Sequence, residues 1–393
     1  MDAQVIIVGA GPAGAWLAYH LAKEGTTTMI LEKEAIPRYK ACGGALSQKA
    51  SLLLSTEFDH EDIPIESEID RLTFRCPGEP DVEYHMPGKG MALVMRNRFD
   101  EFLVNQARET GAILVDSSAV GKVEISTDQA VVHTAEGQYR AEMIVGADGA
   151  TGPVARSLGI KPATIGATMQ GEVKGEFPEE LTDRIILDYG QIPHGYSWVF
   201  PKKNHLSIGT GSMNRAKIPL REMFFDYLEY LGIDAESSKI FLRGHPIPSG
   251  IRRVLAGERF LLVGDAGHLA DPLTGEGIYT ALRSGELAAE EIIRSLKRKK
   301  TDLRGYSEAV RTEMGPETVA ASLLARLIFR WPRHVHRMLG GNPLIMDNVI
   351  SVVQGEAKYQ QAYMQIREEL LHRMWKGRRG ASVDQAAKMK EFT

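Results

Sequence analysis

The run Gly9-Ala10-Gly11-Pro12-Ala13-Gly14, directly behind Val5-Ile6-Ile7-Val8, constrains the fold more than any other feature of the chain. A short β-branched stretch of this kind suits a parallel strand buried on both faces. Gly9 permits the tight turn after it, Gly11 lets the backbone approach a pyrophosphate, and Gly14 lets a helix opening near Pro12 and Ala13 pack closely on the sheet. The free N–H groups of that helix then face the phosphates. A second strand, expected over 27–31, ends at Glu32, 18 residues beyond Gly14, where a carboxylate can accept both hydroxyls of an adenosine ribose. Lys33 beside it joins the cofactor-binding set.

One glycine-rich run is a weak signal by itself. Two more follow in order. Gly146-Ala147-Asp148-Gly149 comes after a short strand at 143–145, and Gly264-Asp265-Ala266-Gly267 closes a strand at 259–263, with the Asp265 carboxylate suited to ribityl or ribose hydroxyls. Three such signatures at this spacing specify one domain holding FAD. Beyond them, Asp271-Pro272-Leu273-Thr274-Gly275-Glu276-Gly277, followed by Ile278, opens a long helical pattern that runs to about Lys297. The positive end of that helix, placed at the flavin N1 and C2 carbonyl, stabilises negative charge on the reduced ring. Arg96 heads an amphipathic helix with Phe99, Phe102 and Leu103 on one face. It either reaches the FAD phosphates or flavin edge, or stands solvated at a helix start.

A net charge of -4 gives no support for nucleic-acid binding. The two cysteines, Cys42 and Cys76, make neither a disulfide framework nor a metal site. No apolar run is long enough to span a bilayer, and the amino end reads as a strand, not a secretory signal. The expectation is a cytoplasmic chain, or one attached to a membrane only at its surface. A second glycine-rich βαβ unit is missing; Gly209-Thr210-Gly211 reads as ending a strand. An external reductant, NAD(P)H or an electron-donor protein such as ferredoxin, is therefore expected to dock without a dedicated domain.

With these signatures the chain resembles the para-hydroxybenzoate-hydroxylase branch of the glutathione-reductase-type FAD fold. Pro37-Arg38-Tyr39-Lys40-Ala41-Cys42-Gly43-Gly44-Ala45-Leu46 and Tyr196-Ser197-Trp198-Val199-Phe200-Pro201-Lys202 narrow the resemblance to the geranylgeranyl reductase family, and 272–278 matches its flavin-side motif. The resemblance spans residues 1 to about 290; Ala41 departs from the proline of many relatives. It implies an FAD-dependent reductase of isoprenoid carbon–carbon double bonds, taking an isoprenoid or prenylated lipid: the geranylgeranyl chain of a lipid, a diphosphate, a chlorophyll or a quinone.

In an extended segment Tyr196, Trp198 and Phe200 share one face, spaced roughly 6 to 7 Å apart. By themselves such residues usually fill a core; the resemblance makes them, with Pro201, the wall of an apolar substrate channel. There Tyr196 or Trp198 can stabilise cationic charge developing on the alkene. A free cysteine is ordinarily a small buried hydrophobe, but the resemblance sets Cys42, Gly43 and Gly44 against flavin or substrate, with Cys42 gating the site or donating a proton. Tyr196, the flavin or an ordered water are further proton sources, and His268 and Asp271 weaker ones. Cys76 reads as structural.

The expected class is α/β. A Rossmann-like FAD-binding domain comes from 1–70, 91–160 and 251–300, a β-sheet substrate domain from 71–90 and 161–250, and a helical region from 301–393. In that last region Leu323, Leu324, Leu327, Ile328 and Trp331 form an apolar stripe beside Arg326, Arg330, Arg333 and Arg337. This helix lies in a membrane interface, closes the substrate pocket, or simply packs on the core. Residues 297–300 read as a solvated helix end and 376–393 as a frayed tail. Two other functions share the fold. One is a flavin monooxygenase or halogenase, although the Trp-x-Trp-x-Ile-Pro pattern of halogenases is missing. The other is an electron-relay flavoprotein without an elongated cavity.

Overall fold

The structure, a computed structural model, describes residues 1–369 apart from 87, 89, 214–217 and 355. The tail expected at 376–393 lies outside the described residues.

Ala3–Val8 forms the centre of an eight-stranded sheet, paired in parallel with Gln138–Gly146 on one side and Thr28–Leu31 on the other. Val8 stands opposite both Gly146 and Leu31, and Gly146 opposite Leu262 of strand Phe260–Leu262. This register brings the carboxyl ends of four strands to one edge. The turns that carry Gly9, Glu32, Ala147 and Gly264 therefore meet there, where ligands bind in open α/β sheets. The strand interiors are apolar on both sides, as covering layers require: Val5, Ile6, Ile7, Ile144 and Val145 are wholly buried.

Helices Pro12–Lys23, Arg96–Glu109 and Ile278–Lys297 cover one face. Two of them cross closely, because a side-chain carbon on Gly285 would stand only 3.0 Å from the Ala13 carbonyl oxygen. Small residues at the crossing let the 278–297 helix bring its amino end to the carboxyl edge of the sheet.

A second sheet has seven strands in the order Lys239–Ser249, Thr164–Lys174, Leu206–Ser212, Gly195–Pro201, Ile185–Tyr189, Arg71–Arg75 and Val82–His85. All neighbours are antiparallel except the 185–189 and 71–75 pair. Helix Leu220–Tyr230 packs Phe224, Tyr227 and Leu228 on one face, against Val199 and Ile208. The other face looks toward helices Arg304–Arg330, Pro332–Gly341 and Pro343–Gln354 and a helical segment at 359–369. There Leu72, Phe74 and Tyr189 join Leu324, Val335 and Leu339 in one cluster.

Two expectations change. Gly209-Thr210-Gly211 lies inside strand Leu206–Ser212 and does not end it; the two glycines make room for a ring on the next strand. The basic stripe is split between two helices, Arg326 and Arg330 on Arg304–Arg330 and Arg333 and Arg337 on Pro332–Gly341, where Arg337 forms a two-pronged pair with Glu79 at 2.8 and 2.7 Å. Leu324 is buried and Ile328 faces a cavity, so the helix packs inward along much of its apolar stripe. Among the described residues no helix is long and apolar enough to cross a membrane.

Candidate active site

A cavity of about 560 Å³ runs from the carboxyl edge of the first sheet, past the Cys42 loop, to the carboxy-terminal helices. At the sheet edge Gly9 has φ +108, and a side chain there would overlap the Ala147 carbonyl. A side chain on Gly14 would overlap the carbonyl oxygen of Gly9. Gly14 thus supports the turn from behind, whereas Gly9, Gly11, Pro12 and Ala13 line the cavity. Gly11 caps helix 12–23 without a side-chain partner, which leaves its first N–H groups free. Glu32 Oε2 accepts the Ala10 N–H at 2.8 Å and Lys33 lines the same end.

Arg96 is buried and gripped by Asp100 one helical turn later, Nε to Oδ1 at 2.7 Å and Nη2 to Oδ2 at 2.9 Å. Burial alone disfavours its charge, but the Asp100 carboxylate outweighs that and holds the guanidinium charged. Arg38 donates to the same Asp100 at 2.8 Å and lies 3.5 Å from Glu32. A carbon on Gly11 would stand 3.8 Å from Arg96 Nη2 and 3.9 Å from Arg38 Nη2. Two forks thus converge on the glycine turn with a third cation, Lys40, lining the cavity nearby. In the same lining, Asp148 Oδ2 accepts the Val154 N–H at 2.8 Å while its buried Oδ1 has no partner, and burial pushes its carboxyl up to about 6.

Glycine cradle, free helix N–H groups, paired guanidiniums, ribose-side carboxylate and an orphaned acceptor are together what FAD's adenosine and pyrophosphate need. The residues present fit the cofactor.

On the flavin side, Asp271 Oδ1 accepts the N–H groups of Leu273 and Thr274, both at 2.8 Å, and the Asp271 N–H donates to the Glu276 carbonyl at 2.8 Å. Asp271 is therefore occupied in shaping the turn. His268 adopts a left-handed backbone and sets Nδ1 3.2 Å from the Thr164 carbonyl; burial pushes it down to about 4, so it stays neutral. Gly275, Glu276, Gly277 and Ile278 line the cavity. Gly277 caps helix 278–297 with no side chain bonded to its N–H groups, so the positive end is open. Burial pushes the Glu276 carboxyl up to about 7. Burial also raises Asp265, but His245, 3.8 Å away, and Lys40 outweigh it and hold the carboxyl below its usual range.

The ring wall stands between these parts. Tyr196, Trp198 and Phe200 all line the cavity, with ring centres 5.7 and 6.4 Å apart along the strand. The Tyr196 hydroxyl donates to the Thr274 carbonyl, tying the wall to the flavin-side turn. Trp198 lies over Gly209 and Gly211, and Phe200 lies against Gly43. Cys42 is half-buried in the same lining, its Sγ 3.4 Å from the Gly44 N–H, and Gly43 and Gly44 line beside it. Beyond the rings the lining turns apolar, with Leu72, Phe74, Leu187, Val335, Leu339 and Ile366.

Three residues stand elsewhere than expected. Pro201 is one residue out of phase with the rings, so alternation turns it to the opposite face, where its carbonyl accepts the Ser67 hydroxyl at 2.6 Å. Pro272 is buried behind the lining. Gly264, at φ +53, gives its N–H to Ser284 at 2.9 Å and sits 3.0 Å from Ala13 Cβ when given a side-chain carbon; it is packing, while Asp265 faces the cavity. Arg38, Lys40, Gln170, His245 and Tyr359 were not expected in the lining. The first two lie inside the 37–46 stretch, where a run of cations beside a glycine turn was a usable signal; the others come from distant strands and helices. Among the described residues no cluster could hold a metal ion.

A family model described as an FAD binding domain matches residues 2–184. Digeranylgeranylglycerophospholipid reductase 1 of Methanopyrus kandleri is 31% identical over 323 residues, covering 77% of this chain and 83% of that protein. The chain belongs to the geranylgeranyl reductase family. It is an FAD-dependent oxidoreductase of the type that acts on CH–CH groups. A geranylgeranyl bacteriochlorophyll reductase-like protein from Thermoplasma acidophilum shares the fold, with a TM-score of 0.75 at 22% identity over 93% of this chain and 95% of that one. The flavin-dependent brominase Bmp2 shares it too, with a TM-score of 0.73 at 19% identity over 96% and 100%.

Proposed function

We propose that this geranylgeranyl reductase reduces isolated double bonds in the isoprenoid chains of a membrane lipid precursor, with the tail threaded past the Tyr196-Trp198-Phe200 wall. One observation carries the reading. The ring wall lies between a dinucleotide cradle and an apolar end lined by Val335, Leu339 and Ile366, a lining that suits a long hydrocarbon extending from the reacting edge. The Methanopyrus relative is named for a lipid carrying such chains.

Bound FAD supplies the hydride for one alkene carbon. The chain's own residues do the rest. Tyr196, Trp198 and Phe200 exclude water and offer ring faces to positive charge on the tertiary carbon. Burial keeps the Tyr196 hydroxyl protonated, and Tyr196 and Cys42 are the side chains we assign to proton delivery. The external reductant, NAD(P)H or an electron-donor protein, meets the flavin by docking at the surface. Trp331 and Leu344 are exposed in the helical region, as are Arg326 and Arg330, and this mix of apolar and basic side chains supports peripheral contact with a membrane.

The likeness to a brominase supports oxygen chemistry as the second reading. The purified protein is reduced without oxygen and offered geranylgeranyl compounds with lipid, diphosphate, chlorophyll-type and quinone head groups, while flavin reoxidation and product mass are followed. Reoxidation with a product two hydrogens heavier per double bond is the expected result. Reoxidation that requires oxygen moves the assignment to a monooxygenase or halogenase.

A further inference from the structure

The aromatic motif ends in Lys202, whose side chain leaves the strand and crosses to the Cys42 loop. Its ammonium donates to the Gly43 carbonyl at 2.6 Å and to the Val94 carbonyl at 3.2 Å, and it is 6% exposed. Gly44 has φ +70, and a carbon there would stand 3.0 Å from Nζ and overlap the Val94 carbonyl, so only glycine lets the loop come this close. The loop has a second tie on the other side of Cys42. Tyr39 donates its hydroxyl to Glu172 Oε1 at 3.0 Å, and Glu172 is itself fixed by Gln170 at 2.9 Å, His205 at 3.0 Å and Ser207. Cys42 therefore hangs between two anchors, both belonging to the second sheet.

We propose that Lys202 is a positioning residue that sets the Cys42 thiol against the reacting cavity, and that the charge on this one buried amine decides how firmly the loop is held. A long, flexible cation is a costly choice for a spot that needs only two carbonyls tied, because burying an ammonium is unfavourable unless it is fully used. What it adds is strength and control, since hydrogen bonds from a charged donor are roughly twice as strong as neutral ones. Burial pushes the Lys202 amine down to about 8, against the opposing pull of Glu172, Cys42 and Glu66. Of these, Glu66 is partly satisfied by Arg98 at 3.0 Å and Glu172 by His205 and the neutral donors Tyr39, Gln170 and Ser207. Lys202 thus passes from ammonium to amine, and the tie to Gly43 weakens, as pH rises through that value.

The inference stands apart from the isoprenoid reading, because its readout is thiol reactivity and not turnover. Oxidised holoenzyme is treated with a maleimide, and the label on Cys42 is quantified by peptide mass; Cys76, buried at 4% exposure, reports any general loosening. Lys202→Met should label at Cys42 roughly tenfold faster or more at neutral pH, the effect of losing a charge-assisted hydrogen bond, with bound FAD and Cys76 labelling unchanged. The ratio of variant to wild-type rate should then fall toward one as pH rises through about 8, a change that a general packing role would not produce. In otherwise wild-type protein, Glu172→Gln keeps an acceptor for Tyr39 but removes the main opposing charge, so the pH midpoint at which Cys42 labelling rises relative to Cys76 should move lower; this reading needs no Lys202→Met protein. Equal Cys42 rates in folded Lys202→Met, a ratio that ignores pH, or a midpoint unmoved by Glu172→Gln would each overturn the proposal.

Discussion

The indole of Trp198 lies across the backbone of Gly209, its cross-strand partner, in the space that any side chain at that position would fill. Gly211 extends the same hollow under the far edge of the ring, 3.3 Å from Cζ3 when given a carbon. The wall of the cavity is thus made by two strands, one supplying rings and the other supplying their absence. Gly209→Ala should cost about 1–3 kcal/mol through overpacking and push the indole into the cavity. The expected result is a lower melting temperature, FAD retained, and alkene-dependent reoxidation slowed more than in Trp198→Ala. Trp198→Ala should bind FAD normally and slow that step by about tenfold, the worth of one well-placed ring face. Loss of FAD from Trp198→Ala would show the ring to be core.

Glu32 Oε2 accepts the Ala10 N–H at 2.8 Å and Oε1 the Glu34 N–H at 3.3 Å, and we propose that the same carboxylate takes the ribose of the dinucleotide. Glu32→Ala leaves that N–H unpaired and is expected to weaken FAD binding by about 1.5–3 kcal/mol, roughly ten- to hundredfold. Fluorescence titration of the apoprotein with FAD measures it, and an unchanged affinity would remove Glu32 from the site.

Glu276 should impose a pH limit on turnover. Burial raises its carboxyl to about 7, so the group is neutral below that value and charged above it. Ionisation puts a negative charge beside the open amino end of helix 278–297 and cancels part of its field. Alkene-dependent reoxidation is expected to fall as pH rises through about 7 in the wild type and to lose that step in Glu276→Gln, which is neutral throughout. Rapid-mixing traces across the range decide it.

Asp188 ties stability to pH. It is fully buried on the face of the second sheet away from the cavity, with Oδ2 unpartnered. Burial raises it from 3.8 to about 6, so the folded chain holds a proton that the unfolded chain has released. A raised carboxyl contributes stability that is fully present below its unfolded value and is lost as pH rises through its folded one. Asp188→Asn should be more stable than the wild type above about pH 6, by about 1–3 kcal/mol for a shift of this size, and should lose the advantage in acid. Chemical denaturation on both sides of that pH is the measurement.

Much of the dinucleotide end was legible in the chain because its constraints are local. Gly9, Gly11, Gly14 and Glu32 fall at spacings set by one strand, one turn and one helix, and backbone sterics leave few other residues able to fill them. Arg96 was ambiguous in sequence. Its choice between solvent and site rests on Asp100 and Arg38, and the second of these is 58 residues away. Pro201 was misplaced although strand alternation already turned it from the rings, while Gly209 looked like a strand end because a glycine's purpose is invisible until its neighbour across the sheet is known. The apolar end of the cavity carried the least signal: Val335, Leu339 and Ile366 sit on helices whose stripes fit a membrane, a core or a lid equally well.

By itself, then, the order of residues determined the cofactor cradle, the aromatic strand and the glycine loop, since each is written in a few consecutive positions whose backbone chemistry admits little else. Only the tertiary structure decided that these pieces share one cavity, that Lys202 reaches across to the Gly43 carbonyl, and that the last helices line the far end. Those are contacts between segments 100 or more residues apart, and sheet register and helix packing set them through the fit of whole surfaces, which no short stretch of sequence encodes.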